Sequence, residues 1–295
     1  MNNPFTEAKY PDDEEQSLVA LAQQGDKEAL AQLIKAHQAW IYNIALKMVY
    51  DHDEAADITQ EVLLKVITRL STFKGQSKFR TWLYRIVANH VLNMKKGGAE
   101  KMVTSFEAYG RSLDEIQNAD LPDQKSMPVE MNLLVEEAKI SCMTGMLLCL
   151  DCEQRLIFIL GELFGVSDAV GSELLEISRA NFRQKLSRAR KDLYSFMNEK
   201  CGLVNKSNPC RCARKTKGFL ELGIVDPQNL KFTREYYNKI HSQSAEKSHF
   251  YDDALEPKYA ALYREHPFQS PPDLMDSLRQ MLEASDFKAL FNLSE

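Results

Sequence analysis

The stretch that decides the fold spans residues 154–197 and reads QRLIFILGELFGVSDAVGSELLEISRANFRQKLSRARKDLYSFM. Apolar residues recur in it at helical spacing, and Gly165 interrupts the pattern after the first run. Ser167 and Ser178 stand where a side-chain oxygen can cap the helix that follows. The pattern therefore predicts a helix-turn-helix unit with helices over residues 154–164, 168–176 and 179–197.

The third predicted helix has one apolar face and one basic face. Five apolar residues recur three or four positions apart, as expected of one buried stripe: Phe182, Leu186, Ala189, Leu193 and Phe196. The opposite face carries side chains that can bind phosphates or base edges in the major groove: Arg179, Arg183, Gln184, Ser187, Arg188 and Lys191. Such a helix after a short turn is typical of a recognition helix, and an ordinary amphipathic surface helix is the alternative.

Charge is distributed unevenly along the 295 residues, whose net charge is −5. Residues 65–101 hold nine basic and one acidic residue, and residues 178–217 hold twelve basic and two acidic ones. Both basic blocks coincide with patterned helices, which favours phosphate binding over a merely solvated face. The remaining segments are acidic, with a net charge of −8 over residues 1–63 and −5 over residues 218–295.

The first basic block alternates aromatic and basic side chains around a polar connector at residues 71–78. Aromatic rings that stack on unpaired bases, beside cations that bind the backbone, are typical of proteins that hold single strands. Asn89 and Asn93 follow on the next helix and can hydrogen-bond to exposed base edges. We expect Trp82 to lie in the core, whereas Phe79 fits the core and the strand-binding surface equally well.

In this order the two motifs resemble those of the sigma-70 family of bacterial RNA polymerase initiation factors, specifically its extracytoplasmic-function group. Residues 57–93 are similar to region 2 of that family, and residues 153–193 to region 4. The resemblance implies an all-α protein with two helical domains that binds core RNA polymerase, directs it to promoter DNA and assists melting. It implies no catalysis and no required cofactor. Further expectations are an anti-sigma factor or self-inhibition by the C-terminal extension, no membrane partner, and a cytoplasmic location at the nucleoid.

The resemblance also implies a role for individual residues. A ridge that docks on the polymerase clamp corresponds to Asp57, Gln60, Glu61 and Leu64. Contacts to the −10 element correspond to Phe73, Lys74, Ser77, Lys78, Phe79, Arg80, Arg85, Asn89 and Asn93. The exposed face of the third helix, defined above, corresponds to the contacts to the −35 element. One departure concerns Gly171, where the family often has alanine.

The chain divides into four segments by composition. We expect region 2 at residues 15–97, a flexible acidic linker at 98–128, region 4 at 129–200, and a mostly helical extension at 201–295. The family resemblance does not cover the extension, for which a regulatory role is expected.

Three of the six cysteines, Cys201, Cys210 and Cys212, fall within twelve residues. Thiolates from a short loop can bind zinc, with His241, His249 or Cys152 as a fourth ligand, although this spacing is not a standard zinc signature. A redox role is a second possibility, because neighbouring basic residues lower thiol pKa values. Free thiols without a role are the third possibility.

Two other classes of function remain open. A stand-alone helix-turn-helix regulator binds duplex DNA without polymerase, and it has no use for the aromatic and basic connector. An enzyme is disfavoured because the sequence contains no P-loop, nucleophile elbow or HExxH motif. We expect neither export nor membrane insertion, since no apolar run approaches about 18 residues and the first residues do not resemble a signal peptide.

Overall fold

The structure, a computed structural model, describes residues 5, 9–94, 101, 105–232, 259–260, 262–263 and 268–274. Ten α-helices make up most of the described residues: α1 (Asp12–Gln23), α2 (Lys27–Val49), α3 (His52–Arg69), α4 (Phe79–Asn93), α5 (Phe106–Glu115), α6 (Met131–Leu148), α7 (Cys152–Phe158), α8 (Asp168–Leu174), α9 (Arg179–Lys200) and α10 (Cys212–Glu221). Within this part of the chain the only β pairing is an isolated bridge between Cys201 and Cys210. The predicted all-α class is confirmed. Among the residues described, no helix is both long and apolar enough to cross a bilayer.

The described residues form two units. Unit 1 contains those of residues 5–94, 159–184 and 270–274, and unit 2 contains those of residues 101–158 and 185–269. The core of unit 1 is built by α1 to α4, with α2 packed along α3. Side-chain caps fix where these helices begin, since Asp26 accepts from the backbone of Glu28 and Ala29, and Asp51 from that of Glu54.

The predicted helix-turn-helix is present at the expected positions. The hydroxyl of Ser167 accepts from Val170 N at 3.3 Å and that of Ser178 from Asn181 N at 3.1 Å, as the capping pattern predicts. A π-helical turn, Ile159–Leu163, follows α7 before Gly165, which adopts a left-handed φ of +66°. The middle helix ends at Leu174 rather than at residue 176, because Glu176 itself is left-handed.

The segment predicted to be a flexible linker, residues 98–128, contains α5. This helix belongs to unit 2, where Tyr109 donates from its hydroxyl to the carbonyl oxygen of Cys142 on α6 at 2.9 Å. Net acidity and the glycines and prolines of the segment favoured a flexible chain, but the sequence between residues 106 and 113 is amphipathic enough to bury one face. Residues 105–119 are therefore a folded part of unit 2.

The described part of the extension also contributes to the core of unit 2. Tyr263 is fully buried, with its ring 5.5 Å from that of Phe158, and its hydroxyl donates to Met143 O at 3.2 Å. Tyr259 stacks on Tyr194 of α9 at 4.3 Å. Packing thus continues past the expected domain boundary at residue 200. Residues 233–258 and 275–295 of the predicted mostly helical extension lie outside the described residues.

Candidate nucleic-acid interface

The outer face of α9 carries all six residues predicted to contact the −35 element. Each of them is exposed: Arg179, Arg183, Gln184, Ser187, Arg188 and Lys191. The opposite stripe is buried as predicted, with Ala189 and Leu193 wholly inaccessible. Arg183 reaches the carboxylate of Asp168 at 3.0 Å, but 66% of its side chain remains accessible, so water screens this ion pair. The helix therefore presents four exposed cationic side chains and two exposed polar ones.

Gly171 sets the distance between α8 and α9. A Cβ atom at this position would lie 2.3 Å from Cε2 of Phe182, a distance that side chains do not tolerate. Phe182 is buried and forms the first part of the apolar stripe of α9. The glycine that departs from the usual alanine thus allows the ring to fill the space against α8.

The predicted −10 surface is only partly exposed. Lys74, Lys78, Asn89 and Asn93 are exposed, and Ser77 and Arg85 are half-buried. Phe73, Phe79 and Arg80 have side chains that are buried, with 9%, 4% and 4% of their surface accessible. In this conformation the last three do not present a surface to DNA, which differs from their predicted role.

The two phenylalanine rings pack together instead of projecting outward. Phe73 and Phe79 lie 5.7 Å apart edge to face, and both approach Trp82, at 5.5 and 5.7 Å. Gln23 of α1 fixes the connector by donating to the carbonyl oxygens of Leu70 and Phe73. Trp82, expected in the core, is the half-buried member of this cluster. It is therefore the ring nearest to solvent.

Arg80 is held by acidic residues at the start of the chain. Its Nε lies 3.2 Å from Glu15 Oε2, and its NH2 lies 2.8 Å from Asp12 Oδ1. Glu15 is itself buried and also pairs with His37 at 3.3 Å. Asp12 additionally binds the exposed Lys78 at 2.6 Å, and this hydrogen bond, aided by the charge of Arg80, lowers the pKa of Asp12 against the opposing effect of burial. The guanidinium of Arg80 thus neutralises a buried acid.

Arg85 of α4 is engaged by the helix-turn-helix within unit 1. Its Nε donates to the carbonyl oxygen of Glu173 at 2.9 Å, and its NH2 lies 3.4 Å from the Glu173 carboxylate. Nearby, the rings of Trp40 and Phe164 approach to 4.4 Å. In unit 1, α8 therefore covers part of the face of α4 on which Arg85 lies.

The predicted polymerase-binding ridge lies on the outer face of α3. Asp57 and Glu61 are exposed, and Gln60 and Leu64 are half-buried. Glu61 is 3.6 Å from His90 Nε2, and Lys65 Nζ is 2.5 Å from His90 Nδ1. Burial, followed by the charge of Lys65, lowers the pKa of His90. Neutral His90 thus joins the ridge of α3 to α4.

Comparison with known proteins matches the part of the chain that contains α2 to α4. The family model described as sigma-70 region 2 matches residues 33–99. The RNA polymerase sigma-H factor of Pseudomonas aeruginosa is 40% identical over 81 residues, which are 28% of this chain and 42% of that relative. The ECF RNA polymerase sigma-E factor of Escherichia coli (strain K12) is 27% identical over 185 residues, which are 60% of this chain and 90% of that relative. Residues 33–99 thus match region 2 of the sigma-70 family, and the chain is similar to sigma factors over a longer stretch.

The ECF RNA polymerase sigma-E factor of Haemophilus influenzae is 25% identical over 182 residues, which are 60% of this chain and 91% of that relative. A solved structure, described as CnrH in complex with the cytosolic domain of CnrY, shares 19% identity with this chain and gives a TM-score of 0.44. That alignment covers 63% of this chain and 97% of the other.

The cysteines of this chain do not form a closed metal site among the described residues. Within that part of the chain, no three His, Cys, Asp or Glu side chains come together in a way that could hold a metal ion. Burial raises the pKa of Cys210, and it raises that of Cys212 to about 12, with neighbouring thiols acting in the same direction. Protonated thiols are poor nucleophiles, which disfavours the redox hypothesis. Zinc stays a prediction without support from this geometry, and His241 and His249 lie outside the described residues.

Four residues that shape the candidate interface were not assigned to it from the sequence. Asp12 and Glu15 neutralise basic residues of the first block, Glu173 binds Arg85, and Trp82 is the outermost ring of the aromatic cluster. The run DDEE at residues 12–15 is the available signal for the first two, because a net charge of −8 before a block of +8 suggests internal pairing. For Glu173 the sequence carries no comparable signal, whereas Trp82 lies in the aromatic and basic block but was expected in the core.

Proposed function

We propose that the protein is a sigma factor that binds core RNA polymerase through the ridge of α3, reads the −35 element of promoters with α9, and engages the −10 element with the connector and α4. The observation that carries the proposal is that six base-reading or phosphate-binding side chains share the exposed face of one helix, while its other face is buried. Such a helix after a capped turn matches the geometry by which helix-turn-helix proteins enter the major groove. The protein acts without catalysis of its own, in the cytoplasm at the nucleoid.

In this conformation, the exposed residues of the connector and α4 are the ones available to the −10 element. Lys74 and Lys78 can bind phosphates, and Asn89 and Asn93 can hydrogen-bond to unpaired bases. Arg85 joins them only after its contacts with Glu173 open. Phe73 and Phe79 stack on a base only if their ring cluster separates, so strand capture is coupled to a rearrangement of the connector.

A stand-alone helix-turn-helix regulator is the alternative, and it is favoured by the same exposed face of α9. The two functions differ in whether polymerase is required. We would assay run-off transcription from genomic DNA fragments with core polymerase, in the presence and absence of the protein. Promoter-specific initiation supports the sigma factor function, whereas specific duplex binding without any initiation supports the regulator.

Variants of α9 sharpen this experiment. Arg183→Ala or Arg188→Ala should weaken promoter use by about 1–3 kcal/mol if the lost side chain reads a base. Loss of a phosphate contact would instead weaken all sequences uniformly and reduce the salt dependence. Ser195→Ala, an exposed position of the same helix, is the matched control and should transcribe like the unmodified protein. Unchanged transcription in both arginine variants would contradict major-groove binding by α9.

A further inference from the structure

Helix α5 occupies a groove of unit 2 whose floor is made by α6. The hydroxyl of Tyr109 donates to Cys142 O, and a Cβ atom at Gly145 would lie 2.5 Å from that hydroxyl oxygen. Only a glycine at this position of α6 lets the tyrosine approach. The floor is therefore shaped to the side chain that it receives.

One wall of the groove is the C-terminal end of α9. The ring of Phe196 lies 5.2 Å from that of Phe106. A Cβ atom at Gly110 would lie 3.2 Å from Cε2 of Phe196. At the rim, Lys200 Nζ binds the carboxylate of Asp114 at 2.5 Å. This wall adds apolar contact inside and charge complementarity outside.

The extension closes the other side of the groove through α10. Lys215, with 8% of its surface accessible, donates from Nζ to Leu113 O at 2.8 Å and also to Ile116 O. The carbonyl of Leu113 belongs to the last turn of α5, and that of Ile116 follows directly after it. This end of the helix offers its carbonyls no intrahelical partners and carries partial negative charge. Ala119 N donates to Arg214 O at 3.0 Å, and a Cβ atom at Gly218 would lie 2.4 Å from Cγ2 of Ile116. The extension thus caps α5 and contacts residues 116 and 119, which follow it.

Lys215 indicates that the groove is built for this occupant. A buried ammonium needs hydrogen-bond acceptors, because burying an unpaired charge is strongly unfavourable. The two acceptors on the opposite side are carbonyls of residues 113 and 116. Without the linker in place, the same lysine would lose them, so linker and extension stabilise each other.

We propose that the extension, with α6 and α9, forms a docking groove for residues 105–119, and that this groove controls how much of the linker is available to polymerase. The occupant is a segment of the same chain. It is held by the buried Lys215 and by the close contacts that Gly145 and Gly218 allow. In this proposal, polymerase also contacts residues 105–119. Docked residues cannot contact another protein with the same faces, so polymerase competes with the groove for this segment. This second half rests on the proposed function.

Hydrogen exchange of the full-length protein tests the docking directly. Lys215→Met keeps the length and apolar stem of the side chain but removes its donors, so exchange of amides 109–119 should accelerate about tenfold or more. Lys217→Met is the matched control, since Lys217 is exposed on the same helix and its loss removes the same charge. Equal exchange at these amides in Lys215→Met and Lys217→Met would overturn the proposal.

A second variant avoids the core of unit 2. Asp114→Lys replaces the exposed ion pair with Lys200 by repulsion, and it should accelerate exchange of the same amides about twofold to threefold at low salt. The acceleration should shrink at high salt. No acceleration at low salt would show that the rim does not hold α5, which contradicts the proposal independently of Lys215.

Binding to core polymerase separates this proposal from the function on which it rests. Lys215→Met should bind core polymerase about threefold or more tightly than the unmodified protein, because the linker no longer has to be released. Equal affinity of the two proteins would overturn control by the groove. Failure of both to bind would instead contradict the sigma factor function, and the exchange data would still decide the docking.

Discussion

The two basic blocks of the molecule have similar charge but opposite surroundings. On α9 the basic side chains face solvent, and the nearby acid Asp168 only partly covers Arg183. On the connector and α4, the central arginine and two aromatic rings are buried, and Glu15 and Asp12 neutralise Arg80. A basic residue is thus available to DNA only where the fold has not supplied it with a buried acid.

Of the substitutions that test this difference between the two blocks, removal of Arg80 should change the free energy of unfolding most. Arg80→Ala leaves the buried Glu15 carboxylate without its main partner, so the free energy of unfolding should fall by about 3–5 kcal/mol. Arg183→Ala, on the exposed face of α9, should change it by less than about 0.5 kcal/mol. Denaturant unfolding followed by circular dichroism measures both. A similar loss of stability in the two variants would contradict the proposed difference in burial between the two basic blocks.

Lys47 of α2 differs from Arg80 because burial alone shifts its pKa. Burial lowers its pKa from 10.5 to about 8, which corresponds to about 3 kcal/mol of destabilisation at neutral pH. Between pH 8 and 10.5 the unfolded chain binds this proton and the folded one does not, so stability from this group should rise with pH. Lys47→Met should raise stability at pH 7 and abolish that rise. Lys35→Met, exposed on the same helix, should do neither.

Gly171 tests whether the exposed face of α9 depends on local packing. Gly171→Ala places a methyl group against the ring of Phe182 and should lower stability by about 1–3 kcal/mol. Binding of −35 DNA should weaken with it, while the environment of Trp82, followed by its fluorescence, should not change. Ala180→Ser, at the exposed start of α9, serves as the control. Tolerance of alanine would mean that the ring finds another position.

Local patterns predicted the helix-turn-helix well. Its capping serines and apolar stripe depend on residues three or four positions apart, and such interactions are legible in one stretch of sequence. Their outcome does not require knowledge of distant segments. The helix bounds accordingly agree within a few residues.

Long-range pairing explains what the sequence did not reveal. Arg80 is buried because α1 brings Glu15 to it from 65 positions away, and α5 is ordered because Lys215 reaches it from about a hundred positions away. Composition described residues 98–128 as an acidic linker, but composition does not report which carbonyls a distant lysine will bind. The same limit applies to the zinc prediction, which rested on spacing alone.

The way in which Glu137 binds the extension indicates how relatives with the same extension can be recognised. Its buried carboxylate accepts from the backbone amides of Lys231 and Phe232, so it anchors the chain without regard to the side chains there. Positions 231 and 232 can therefore vary in evolution while the anchor persists. In an alignment, the mark of this attachment would be an acidic residue on the buried face of α6, with no compensating change at its partners.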